Sequence, residues 1–216
     1  MLIMRREAEI KHILISNAIH LIAKGGFEAA TTKALTTAGD SPDGVKMNEV
    51  YIYRIFGSKE NLYEAAFLTL DDELYRATSG AVEKVGGFGE DAKNRLHQFF
   101  GIVWDFLLGN EERFRCYVRY YHSIYFKGSS QKTHAKHFEA MAKLFAPLFE
   151  EDTAAGTVLH SAFIILLNFA VQVYNGDIQN DENTRNHAFN ILFFVLESYF
   201  NRDIKKSDIK GGINEE

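Results

Sequence analysis

Apolar residues recur at spacings of three and four along almost the whole chain, the signature of amphipathic helices. The first run, Arg5 to Lys24, places Ile10, Ile13, Leu14, Ala18, Leu21 and Ile22 on one stripe and stops at Gly25-Gly26, where glycine suits a helix end. Thr31 or Thr32 can cap a short second helix from Lys33 to about Ala38, with Leu35 inward. After the turn-rich segment Gly39 to Gly44, a third helix begins at Asn48, a candidate N-cap, and ends at Gly57. Ser58 can cap a long fourth helix that carries Leu62, Tyr63, Ala66, Phe67, Leu70 and Leu74 and runs to about Val85.

Gly86-Gly87-Phe88-Gly89 predicts a loop. Beyond it the spacing predicts helices over Asp91–Leu108, Glu111–Phe126 and Gln131–Phe149, the last kinked by Pro147. Two more, about 154–175 and 183–200, are apolar on most sides and therefore need cover on most sides. About nine helices and no strand pattern make the expected fold all-α.

The third-helix stretch has two faces. Ile52, Ile55 and Phe56 share one, while Val50, Tyr51, Tyr53 and Arg54 point broadly the other way. Arg and Tyr suit phosphates or base edges, and Val suits a thymine methyl. The plainer reading is an amphipathic helix with a wetted polar face, and the residues of this helix alone leave both open.

Composition changes little. Hydrophobic residues make up 46% and charged residues 25% of 216, an ordinary globular balance. Two prolines favour long helices, and 18 Phe with 10 Tyr suggest aromatic packing or an aromatic-lined cavity. Net charge is −5, but residues 1–60 are nearly neutral and the acidity lies beyond them. Any nucleic-acid contact must therefore come from local placement of Lys and Arg. Cys116 is the only cysteine, which excludes an intrachain disulfide and a Cys-rich zinc site. With no export signal read at the N-terminus, and with the apolar run Val158–Tyr174 broken by His160, Asn168 and Gln172, a cytoplasmic protein that does not cross a membrane is expected.

Catalytic patterns are missing: no phosphate-binding Gly loop precedes a Lys-Ser/Thr, and no nucleophile elbow occurs. The expectation is no enzyme, no cofactor and no metal. His134 and His137 share a helix face and could start a metal site, but a solvated face explains them, as it explains the acidic run Asp71-Asp72-Glu73. Cys116 reads as a small buried thiol.

Residues 9–68 resemble the DNA-binding domain of TetR-family transcriptional regulators. The resemblance rests on Gly26-Phe27, Ala30-Thr31-Thr32, Asn48 to Phe56, and above all Ile52-Tyr53-Arg54-x-Phe56-x-Ser58-Lys59-Glu60-x-Leu62. Two features depart from the family. Asp40 to Lys46 makes a longer connection than the family's tight turn, and Tyr51 stands where a small residue is common.

The resemblance implies a three-helix helix-turn-helix domain at 1–56, a regulatory and dimerisation domain at 57–202 with a linking helix over 57–85, and a tail at 203–216. It implies a homodimer, joined through helices 154–175 and 183–200, that binds a palindromic site in double-stranded DNA and is released by a small-molecule effector. The expected DNA-facing residues are Thr31, Thr32, Lys33, Lys46, Asn48, Val50, Tyr51, Tyr53, Arg54 and Lys59. Phe100, Trp104, Tyr117, Tyr121, Tyr125, Phe138 and Phe145 are the expected effector-binding set, with an ordinary aromatic core as the competing reading. A helical small-molecule- or partner-binding protein that no longer binds DNA is the alternative function.

Overall fold

In the computed structural model, residues 2–38, 47–89, 91–151 and 154–201 are described. The connection Asp40–Lys46, with its Lys46, and the tail 203–216 lie outside them. The described residues form nine α-helices: α1 (Leu2–Ala29), α2 (Thr32–Thr37), α3 (Val50–Phe56), α4 (Lys59–Lys84), α5 (Ala92–Gly109), α6 (Glu111–Tyr121), α7 (Ser129–Phe145), α8 (Ala155–Asn175) and α9 (Glu182–Glu197). A 3-10 turn at Ala146–Leu148 and an isolated antiparallel bridge between Phe149 and Phe200 complete the secondary structure. The all-α expectation is met.

The chain forms two compact units, Met1–Glu73 with Asn110–His134, and Leu74–Gly109 with Ala135–Glu216. The first part of α4 and all of α6 fall with the N-terminal helices in the first of these units.

In the first unit, α1 supplies Leu14, Ala18 and Ile22, all fully buried. Gly26 breaks the helix with φ 75° and ψ −172°, a conformation open to glycine and strained for other residues. The buried Asn17 side-chain amide donates to the Leu35 carbonyl at 2.8 Å and ties α1 to α2. Thr31 caps α2 by accepting the Ala34 N–H at 3.1 Å, and Asn48 accepts the Val50 N–H at the start of α3. Gly57 ends α3 at φ 79°. Ser58 accepts the Asn61 N–H, while the Asn61 side chain donates back to the Phe56 carbonyl at 2.7 Å. The caps expected from sequence at Thr31 and Ser58 form, whereas the N-cap of α3 is Glu49 and Asn48 bonds from one residue further out. Arg119 of α6 donates to the Ile22 carbonyl at 2.7 Å, placing a cation at the electronegative end of the first α1 segment.

Three sequence expectations fail here. The sixth helix ends at Tyr121, not Phe126. Ser123 Oγ donates to the Tyr120 carbonyl and accepts the Tyr125 N–H, so a side chain takes over the backbone bonds that would continue the helix. Ile124 is then 81% exposed rather than inward. Asp71 and His134, expected on solvated faces, are both buried and touch each other.

The second unit is built on α5, α8 and α9. Trp104 is buried and its indole N–H donates to Asn180 at 3.3 Å. Tyr174 donates to the Leu107 carbonyl at 2.7 Å and fastens α8 to α5. Arg185 of α9 pairs with Asp105 of α5 and lies across Gly101, where any Cβ would stand 2.5 Å from its guanidinium. In the loop after α4, Phe88 turns inward against Phe99 and Phe145. Pro147 lacks the N–H a helix would need, and α7 gives way to the 3-10 turn at Ala146.

Candidate nucleic-acid interface

The three short segments α2, α3 and the start of α4 present most of the residues that the sequence singles out, all within the first unit. Ile52 anchors α3 with no exposure, so the opposite side of the helix faces outward. Val50 is 66% and Tyr53 53% exposed, and Arg54 is exposed beside them. The Arg54 guanidinium lies over the Tyr51 ring, 4.8 Å from its centroid. That stack orients a cation while leaving its outer N–H groups available. Tyr51, larger than the family's usual residue here, is thus half-buried and serves as the platform for Arg54.

Thr31 and Lys33 are exposed and Thr32 is half-buried at the start of α2. Asn48 is exposed, and its side chain accepts the Val50 N–H. Lys59 opens α4 with its ammonium 5.7 Å from the Tyr63 ring centroid. Lys46 lies outside the described residues.

Sequence reasoning placed Tyr63 on the apolar stripe of α4 but missed the hydrogen bonds that hold this surface. Tyr63 is 1% exposed and donates to the Ala30 carbonyl at 2.7 Å, fixing α4 to the link between α1 and α2. Burial, with Tyr125 and Glu60 nearby, pushes its hydroxyl well above the usual phenol range. Phe27 packs against Tyr63 at 5.2 Å and Tyr125 at 4.8 Å. Asn17 carried a usable signal, an amide in the register of the α1 apolar stripe. Arg119 carried none, because its partner is a backbone carbonyl 97 positions away.

The seven aromatic residues expected to hold an effector divide between the units. Tyr117, Tyr121 and Tyr125 belong to the first; Phe100, Trp104, Phe138 and Phe145 belong to the second. Tyr117 is fully buried with its hydroxyl on Asp71 at 3.3 Å, and Tyr121 stacks parallel to it. Phe100 packs on Trp104 at 5.6 Å, Phe145 on Phe88 and Phe99, and Phe138 on His160 and Phe163. Cys116 is buried, and loss of solvent raises its thiol to about 12 despite Arg113 and Arg119. Among the described residues, no group of three or more His, Cys, Asp or Glu side chains is placed to hold a metal ion.

The geometry defines a helix-turn-helix unit joined to an all-helical second unit. Comparison with solved structures gives this arrangement its name, for the fold is that of TetR-family transcription regulators. A regulator of that family from Marinobacter aquaeolei VT8 superposes with a TM-score of 0.68 at 16% identity, covering 92% of this chain and 99% of that one. One from Shewanella sp. PV-4, described as a putative family member, gives 0.69 at 16% identity over 89% of this chain and 99% of its own. The multidrug binding protein EbrR, in complex with imidazole, gives 0.60 at 16% identity over 86% and 93%. No family model and no curated protein sequence matches the chain.

Proposed function

We propose that this protein is a sequence-specific DNA-binding transcriptional regulator that acts in the cytoplasm as a homodimer, a repressor released by a small apolar effector. The observation that carries the reading is the α3 surface: Ile52 is buried while Val50, Tyr53 and Arg54 stand outward, on a fold shared with known regulators.

In this reading α3 enters the major groove. Arg54 and Val50, with Asn48 and Tyr51 beside them, approach base edges. Thr31, Thr32, Lys33, Lys46, Tyr53 and Lys59 hold phosphates on either side and set the docking angle.

Dimerisation follows from α8 and α9. α8 is long and apolar enough to cross a membrane, yet only 33% of its most apolar window is buried within the chain. Phe194 is 77% exposed and Ile191 is also exposed on α9, with Tyr199 exposed just beyond its end. A second copy of the same helix pair covers these residues and makes an isologous, two-fold contact. The two α3 helices then meet half-sites of a palindrome about one DNA turn, roughly 34–36 Å, or a multiple of it apart.

The effector binds among the aromatic residues of the second unit, Phe100, Trp104, Phe138 and Phe145, whose rings suit an apolar ligand. Because α4 runs through both units, a shift of that helix changes the separation of the two reading heads.

The test is selection from a random duplex library at two salt concentrations. The expected result is enrichment of a palindrome whose affinity falls steeply with salt. Absence of any enriched sequence, with or without a panel of apolar metabolites, would sink the reading.

A further inference from the structure

The first unit holds a buried polar cluster that the DNA-reading surface does not use. Asp71 of α4 is 2% exposed, His134 of α7 is 6% exposed, and Tyr117 of α6 is fully buried. His134 Nδ1 and Asp71 Oδ1 lie 2.7 Å apart, and the Tyr117 hydroxyl lies 3.3 Å from each of them. The walls are aromatic: Tyr121 at 5.3 Å, Phe126 at 5.5 Å and Phe67 at 6.2 Å from the imidazole. One turn toward the start of α7, the Ser130 N–H donates to Glu64 of α4 at 2.9 Å, and the Tyr120 hydroxyl reaches Ser130 Oγ. The beginning of α7 is thus pinned to α4 at two levels, Glu64–Ser130 and Asp71–His134.

A buried polar cluster is a poor source of stability, since apolar side chains of similar volume fill the same space at no desolvation cost. Its distinctive property is direction. Hydrogen bonds fix one register, whereas the surrounding aromatic contacts tolerate sliding. The same α4 bears Tyr63, which holds the link before α2, and Lys59, whose half-buried side chain lies over the Tyr63 ring.

We propose that Asp71, His134 and Tyr117 form a latch that fixes the register of α7 on α4, and that they are positioning residues for DNA binding although they lie in the core. The effect on DNA rests on the regulator reading above; the effect on register does not.

The experiment compares wild type with the double variant Asp71→Leu/His134→Leu and with Tyr117→Phe, which deletes one hydroxyl and keeps the ring. Three quantities are read: the thermal midpoint, hydrogen exchange at residues 129–138, and affinity for the selected duplex. The double variant is expected to melt at or above the wild-type temperature, to lose exchange protection at the start of α7, and to bind the duplex about 10-fold more weakly, within the range found for coupling residues away from a ligand. Tyr117→Phe is expected to shift exchange and affinity in the same direction by about 3-fold, the loss of one hydrogen bond.

Wild-type exchange protection and affinity in Tyr117→Phe and in a folded double variant would overturn the latch. Should the double variant not fold, Tyr117→Phe alone decides. If wild type selects no duplex, the regulator reading falls, and exchange alone still judges the latch.

Discussion

The hydroxyl of Tyr63 donates to the carbonyl of Ala30 across 33 positions of sequence, at 2.7 Å and in a buried setting. A single bond thus joins the first turn of α4 to the residue that leads into α2. Removing the hydroxyl leaves that carbonyl without its side-chain donor while the ring continues to fill its place. Tyr63→Phe is expected to cost about 1–2 kcal/mol in urea unfolding, the range for a buried group that loses its hydrogen bond. A change under a few tenths of that would show that the carbonyl finds another partner.

Burial raises the titration of Tyr63, Tyr117, Tyr120, Tyr121 and Cys116 alike. A raised value in the folded state means that the unfolded chain loses its protons first as pH climbs. Stability is therefore complete below the ordinary values of these groups. It falls as pH rises above about 9 for the thiol and 10 for the phenols. Thermal midpoints measured between pH 8 and 11 should decline steadily, and Cys116→Ala should remove only the earliest part of the decline.

Cys116 combines 1% exposure with a thiol raised to about 12. A thiol-specific reagent at pH 8 should label the folded protein no faster than the protein opens, and labelling should become complete within mixing time in denaturant. Rapid labelling of the native state would show that the α6 core breathes on a short timescale.

Lys59 and Arg54 are expected to differ in kind. Lys59→Ala should weaken binding to every duplex and lower the salt slope by about one. Arg54→Ala should cost about 1–3 kcal/mol and relax preference at one base position, as removal of a base contact does. An isotherm series on the selected site and its single-base variants separates the two; a uniform loss for Arg54→Ala would move it among the phosphate contacts.

Phe194 is 77% exposed on α9, whereas Phe189 of the same helix is buried. Phe194→Glu places a charge where the second copy is expected to pack. Light scattering at micromolar concentration should then show half the wild-type mass, and duplex affinity should fall with it. A variant that keeps the wild-type mass would place the contact between copies elsewhere.

The local code of this chain is strong, and it determined the helices. Apolar spacing set where most of them run, Thr31 and Ser58 capped the elements they preceded, and Gly26 and Gly57 interrupted or ended them. These features depend on bonds within a few residues, so the sequence states them directly. The outward face of α3 was legible for the same reason, because burial of Ile52 fixes the direction of its neighbours.

Only the tertiary structure decided which polar residues go inside. Asp71 and His134 read as solvated charges, yet they meet in a core because α4 and α7 bring together positions 63 apart. Arg119 is settled in the same way, by a backbone carbonyl that no side-chain pattern announces. Helix periodicity ranks faces by their apolar content. A buried hydrogen bond depends instead on a partner from another helix, and that partner exists only once the chain has folded.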